Sequence, residues 1–155
     1  MKVSAVDLFC GAGGLSYGLE ESGIPVETGV DIDPDSRYPY ETNTDGRFMK
    51  ADLDHTARQS PDRIASLFAR DADVRVLAGC APCQPFSPLN HGGASHEHDK
   101  WGLLSAFATF VETIKPDIVV MENVFEVRNH DVYDEFVETL DELGYWTNDD
   151  GENPN

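Results

Sequence analysis

Residues 3–14 read VSAVDLFCGAGG, and this stretch decides the fold. Val3 to Phe9 form a short apolar run of the kind that makes a buried strand, and the GAGG behind it turns the chain into a helix. Gly11, Gly13 and Gly14 allow positive φ there and let a ligand approach bare backbone amides at a helix start. The spacing differs from the dinucleotide fingerprint, and a purely structural tight turn fits the same residues.

The pattern repeats outward from this turn. The helix runs from about Leu15 to Ser22 and is ended by Gly23. VETGVDI (Val26–Ile32) is a second strand, and Asp33-Pro34 starts a helix, with a capping carboxylate before a proline in the first turn. A weaker strand covers Phe48 to Ala51. Ser60-Pro61 repeats the cap-plus-proline arrangement and opens a helix to about Ala69, with Ile64, Leu67 and Phe68 on one face. VRVLAG (Val74–Gly79) is a fourth strand, and a polar loop spans about Leu89 to Lys100. LLSAFATFVETI is a helix, DIVVMENV (Asp117–Val124) a fifth strand, and DVYDEFVETLDELGY a helix closed by Gly144. Strands alternating with helices predict a parallel, doubly wound α/β sheet, in which ligands gather at the carboxyl ends of the strands. The loop glycines, Asp31, Asp52, Cys83 and Glu122-Asn123 all fall on that edge.

The 155 residues suit one domain able to bury roughly two thirds of its unfolded surface. No apolar run is long enough to cross a bilayer and no basic-then-apolar leader follows Met1, so a soluble cytoplasmic protein is expected. Three cysteines do not suggest a secreted disulfide framework. Charge is the unusual property: 29 acidic residues against 11 basic ones give a formal net charge of −18, with lysine only at Lys2, Lys50, Lys100 and Lys115. Such a surface repels DNA phosphates at low ionic strength. The acidic residues are scattered along the chain, which suits a halophilic cytoplasm where repulsion is screened over about 3 Å.

Residues 79–87, GCAPCQPFS, hold two of the three cysteines among prolines. A redox dithiol at Cys80 and Cys83 is one reading, but Pro85 and Pro88 interrupt the backbone where the helix of such a site should run. A metal site could add His91, His96 and His98, which lie in a glycine-containing loop without recognised ligand spacing. The third reading is a lone nucleophile, Cys83, with Cys80 a small buried residue. Glu122, in MENV at the end of an apolar strand, is placed for burial that would let it keep and donate a proton. Asp31 ends its strand where a carboxylate can bind ribose hydroxyls, whereas Asp33 fits a helix cap better than a ligand. Asp52 is read either as an adenine contact or as a surface carboxylate.

Together these segments resemble the DNA cytosine-5 methyltransferases. DLFCGAGGLSYGLEESG is similar to the family's S-adenosylmethionine motif, VDIDP to its acidic ribose motif, Ala51-Asp52 to its adenine segment, PCQPFS to its nucleophile loop and ENV to its glutamate motif. DKWGLL is similar to the family's D-x-R-G-x-L, with Trp101 where arginine is usual. The resemblance covers nearly all of Met1 to Tyr145. It implies a Rossmann-like, doubly wound, mostly parallel sheet of the class I methyltransferase type, truncated before the last strands; residues 146–155 read, from their composition, as a disordered tail or a cut end.

The resemblance also implies roles. Cys83 attacks carbon 6 of a flipped cytosine, Glu122 protonates or hydrogen-bonds ring nitrogen 3, Gln84 belongs to the same nucleophile loop, and Asn123 braces that loop through its amide. For S-adenosylmethionine, Phe9 and Gly11 line the amino-acid end, in a loop that includes Cys10, Ala12, Gly13 and Gly14. Asp31 takes the ribose, Ile32 and Asp52 the adenine with Leu53 beside them, while Pro82 and Leu104 flank the site. No metal is implied. Family members continue into an arginine-bearing Q-R-R-x-R motif, a target-recognition domain and a closing segment; here the only arginine after Asn123 is Arg128. Two functions follow: the catalytic half of an enzyme acting on double-stranded DNA, either an excised fragment or one subunit of a split enzyme whose second chain carries recognition, or an inactive remnant that binds S-adenosylmethionine or a partner protein without turnover.

Overall fold

In the computed structural model, which describes residues 1–82 and 97–147, with side chains for 1–82 and 102–147, five parallel strands form one sheet in the order β3-β2-β1-β4-β5. β1 (Val3–Leu8) lies at its centre, paired with β2 (Val26–Asp31) on one side and β4 (Val74–Gly79) on the other. β3 (Arg47–Lys50) and β5 (Ile118–Met121) extend the two wings. Every pairing among the described strands is parallel, so the expected "mostly parallel" sheet is wholly parallel here. The chain steps outward from β1 to β3, then returns past β1 to β4. That reversal is a topological switch point, which opens a crevice at the carboxyl ends of β1 and β4.

The central strands are apolar on both faces because helices cover both. Ala5, Val76 and Ala78 pack against Leu19 of α1 (Gly14–Glu21). On the opposite face Val6, Leu8 and Leu77 meet Phe107, Phe110 and Val111 of α5 (Glu97–Ile114), Leu53 and Ala57 of α3 (Leu53–Gln59), and Phe136 and Leu140 of α6 (Asp131–Glu142). Phe107 and Phe110 are fully buried, each worth about 1.5–3 kcal/mol relative to exposure. α2 (Arg37–Asn43) inserts Tyr40, also fully buried, beside Cys10 and Phe48. Gly29 makes room for it: a Cβ there would lie 2.3 Å from the tyrosine ring.

Several boundaries differ from the sequence reading, among them the fifth strand, which stops at Met121 instead of running to Val124. Ser60-Pro61 opens only one turn, α4 (Asp62–Ala65), although Ile64 and Phe68 are buried as expected. A helix not anticipated, α3, fills the segment before it, because Asp52 caps it and Leu53, Thr56 and Ala57 turn inward. α5 begins at Glu97, within the span read as polar loop, since its first turns carry EHDKWG rather than an apolar stripe. Asp33 accepts a hydrogen bond from the Asp35 amide and so caps the 3-10 turn Pro34–Ser36 that precedes α2. No helix among the described residues is long and apolar enough to cross a membrane.

Candidate active site

The loop leaving β1 holds an unusual conformation. Phe9 has φ +58°, the left-handed region that costs a bulky residue about 1–3 kcal/mol, and Gly11 and Gly13 follow at +49° and +93°. Asp31 at the tip of β2 fixes this loop, its Oδ2 accepting the Gly11 N–H at 2.9 Å while Oδ1 accepts the Asp33 N–H at 2.9 Å. Each carboxylate oxygen keeps a lone pair for a further donor such as a ribose hydroxyl. Beyond Gly11 and Gly14 no atom lies within 4 Å of where a Cβ would project, so a ligand can meet the backbone there. Gly13 is packed instead, its would-be Cβ 2.8 Å from Thr44 and 3.1 Å from the Tyr40 ring. Ile32, beside Asp31, is 59% exposed, an apolar surface suited to one face of a base.

Other expected cofactor residues divide by burial. Ala12 and Pro82 are exposed, while Cys10, Leu53 and Leu104 are buried; Leu53 and Leu104 belong to the main core. Burial pushes the Cys10 thiol far up, helped by Asp7 and Asp31, so it stays protonated and inert. Asp52 Oδ1 is committed to the His55 N–H at 3.0 Å, which caps α3.

β4 and β5 bring the second half of the site together. The Glu122 amide donates to the Gly79 carbonyl at 3.0 Å, continuing the ladder past β5. The Cys80 thiol then donates to Glu122 Oε2 at 2.7 Å, and Asn123 Nδ2 donates to the Ala81 carbonyl at 3.2 Å. Asn123 thus holds the segment that enters the PCQPFS stretch. Cys83 and Gln84 lie outside the described residues, as does the Trp101 side chain. Two expectations are corrected here. Cys80 is half-buried and touches Glu122, because it lies past the end of β4 on the edge that Glu122 faces. Glu122 is exposed rather than buried, because β5 is an edge strand among the described residues, with Ile118 46% exposed. A cavity of about 610 Å³, lined by Ile118, Met121, Phe136 and Leu140 among others, borders β5 and α6 and does not include the glycine loop.

One buried carboxylate was not singled out in the sequence. Asp7, inside β1, is fully buried. Its Oδ2 accepts the Ser16 hydroxyl at 2.7 Å, Ser16 lies 2.9 Å from the Tyr40 hydroxyl, and Oδ1 has no hydrogen-bond partner. Burial pushes Asp7 up to about 6, against hydrogen bonds from Ser16 that lower it. The available signal was a carboxylate within a run otherwise apolar or small.

The family described as C-5 cytosine-specific DNA methylase matches residues 3–148. The chain belongs to that family. The chain is 38% identical over 148 residues to the type II methylase M.HgiDII of Herpetosiphon aurantiacus, covering 94% of this chain and 40% of that protein. It is 32% identical to the type II methyltransferase M.AluI of Cellulosimicrobium cellulans, covering 93% and 27%. The fold is similar to part of the S. pombe Dnmt2 methyltransferase, with a TM-score of 0.71 at 18% identity over 94% of this chain and 42% of that one. The chain therefore spans less than half the length of these proteins.

Proposed function

We propose that this chain is the catalytic part of a DNA cytosine-5 methyltransferase, acting in the cytoplasm on double-stranded DNA together with a target-reading part that lies outside these residues. The observation that carries the reading is the convergence, at one switch point, of the Asp31-braced glycine loop with the Cys80–Glu122 and Ala81–Asn123 contacts. The open backbone at Gly11 and Gly14 and the exposed Ile32 fit S-adenosylmethionine, which supplies an electrophilic methyl group. Phe9 and Gly11 would border its amino-acid end and Asp31 its ribose.

On the substrate side a flipped cytosine exposes carbon 6. The Cys83 thiolate adds there, and Glu122 donates a hydrogen bond or proton at nitrogen 3. The ring electrons released to carbon 5 take the methyl group. Loss of the carbon 5 proton then expels the thiolate. Covalent addition divides one difficult step into easier ones. Asn123, through Ala81, would keep the nucleophile segment in place.

Duplex DNA carrying 5-fluorocytosine tests this directly, because the fluorine blocks the final elimination. With a complementing recognition chain, the protein should form a stable adduct in the presence of S-adenosylmethionine, and Cys83→Ser should form none. Adduct that survives the substitution would overturn the nucleophile assignment. Binding of S-adenosylmethionine with no adduct under any complementation would leave the remnant reading in its place.

A further inference from the structure

The proposed reaction uses the Cys83 thiol and gives Cys80 no task, yet Cys80 is anchored at both its backbone and its sulfur. Its N–H donates to the Leu8 carbonyl at 3.1 Å, so the central strand fixes where the side chain starts. From there the thiol donates to Glu122 Oε2 at 2.7 Å. The Glu122 backbone is held separately: its N–H donates to the Gly79 carbonyl at 3.0 Å, and the next side chain, Asn123, donates to the Ala81 carbonyl at 3.2 Å. Those bonds set the backbone, not the carboxylate. Glu122 is exposed, so packing does not choose its rotamer, and a long side chain left to itself keeps its rotational freedom. Among the described residues the hydrogen bond that makes the choice comes from Cys80. A thiol has one hydrogen to give and is a weak donor. It orients the carboxylate through Oε2, leaves Oε1 available, and yields readily to a stronger partner.

Resting on the reading of Glu122 as the group that meets nitrogen 3 of the flipped base, we propose that Cys80 is a positioning residue of the reaction: its thiol proton holds Glu122 Oε2 and sets the carboxyl in place before the base enters. Cys80 thus acts through Glu122. The benefit falls on turnover rather than on binding, because a group already oriented needs no reorganisation as charge develops on the ring.

Methyl transfer to duplex DNA by the chain together with its target-reading part tests this. Cys80→Ala should lower kcat about tenfold, with KM for DNA and for S-adenosylmethionine changed less than about twofold, and Cys80→Ser, which restores a donor, should recover most of the loss. Infrared spectra of the chain read the contact without turnover. The S–H stretching band that Cys80→Ser removes should lie below that of an unbonded thiol, and it should rise in Glu122→Ala. A band indifferent to Glu122, an unchanged kcat in Cys80→Ala, a loss confined to KM, or a loss that serine does not repair overturns the role of Cys80 while leaving the methyl-transfer reading intact. Absence of methyl transfer from the unsubstituted enzyme overturns that reading and the role of Cys80 together.

Discussion

The buried carboxyl of Asp7 should make the fold less stable at neutral pH than in mild acid, and Asp7→Asn should remove that dependence. Burial moves Asp7 from 3.8 to about 6. Each pH unit between the two values is worth about 1.36 kcal/mol, so ionising this group costs the fold about 3 kcal/mol. Proton counting gives the sign. Below 3.8 both folded and unfolded chains hold the proton; between 3.8 and about 6 the unfolded chain releases it first, so stability falls as pH rises. Above about 6 the penalty is complete. From about pH 4 to about pH 7.5 the fold should lose about 2 kcal/mol through this group alone. Other carboxylates titrate over the same range, and asparagine brings amide hydrogens whose burial costs about 1–3 kcal/mol if unpaired. Both effects cancel in a difference of differences. Urea unfolding of the two proteins at both pH values should show the variant gaining about 2 kcal/mol on the wild type as pH rises. Parallel behaviour would refute burial as the force acting on Asp7.

Two further outcomes follow from packing and charge. Gly29→Ala would drive a Cβ to within 2.3 Å of the Tyr40 ring and 2.5 Å of its hydroxyl, so Tyr40 must leave its place against Ser16; a loss of about 2 kcal/mol or more is expected, read as a fall in melting temperature, and an unchanged melting temperature contradicts the packing. The net charge of −18 and the exposed ion pairs of Lys2, Arg37 and Arg58 leave most carboxylates uncompensated, so stability should climb steadily with potassium chloride up to about 1 M, where the screening length is about 3 Å, and indifference to salt would remove the halophilic reading.

What could be read in the sequence was whatever local periodicity encodes. The strands from Val3, Val26 and Val74 announce themselves as short apolar runs, and the turn after Phe9 is written in glycine. α3 was hidden because its inward residues, Leu53, Thr56 and Ala57, make too weak a stripe, and because Asp52 looked like a ligand when its nearer task is capping. The apolar run before Glu122 reads as an interior strand, yet only a neighbour on its far side could bury it; periodicity reports what a strand needs, not which strands stand beside it. The link from Asp7 through Ser16 to Tyr40 joins residues 9 and 24 positions apart on three elements, with no repeat to mark it. That link matters for the site because the elements it ties are the ones the glycine loop connects and rests upon. Asp31 clamps Gly11 from the second strand, Tyr40 closes the space beside Gly13, and Asp7 holds the helix that starts at Gly14. A loop fixed at three points can hold Phe9 in a left-handed conformation that a free turn would relax. The strain there is sustained by surrounding contacts, so loosening any one of them should let Phe9 relax toward an ordinary backbone conformation.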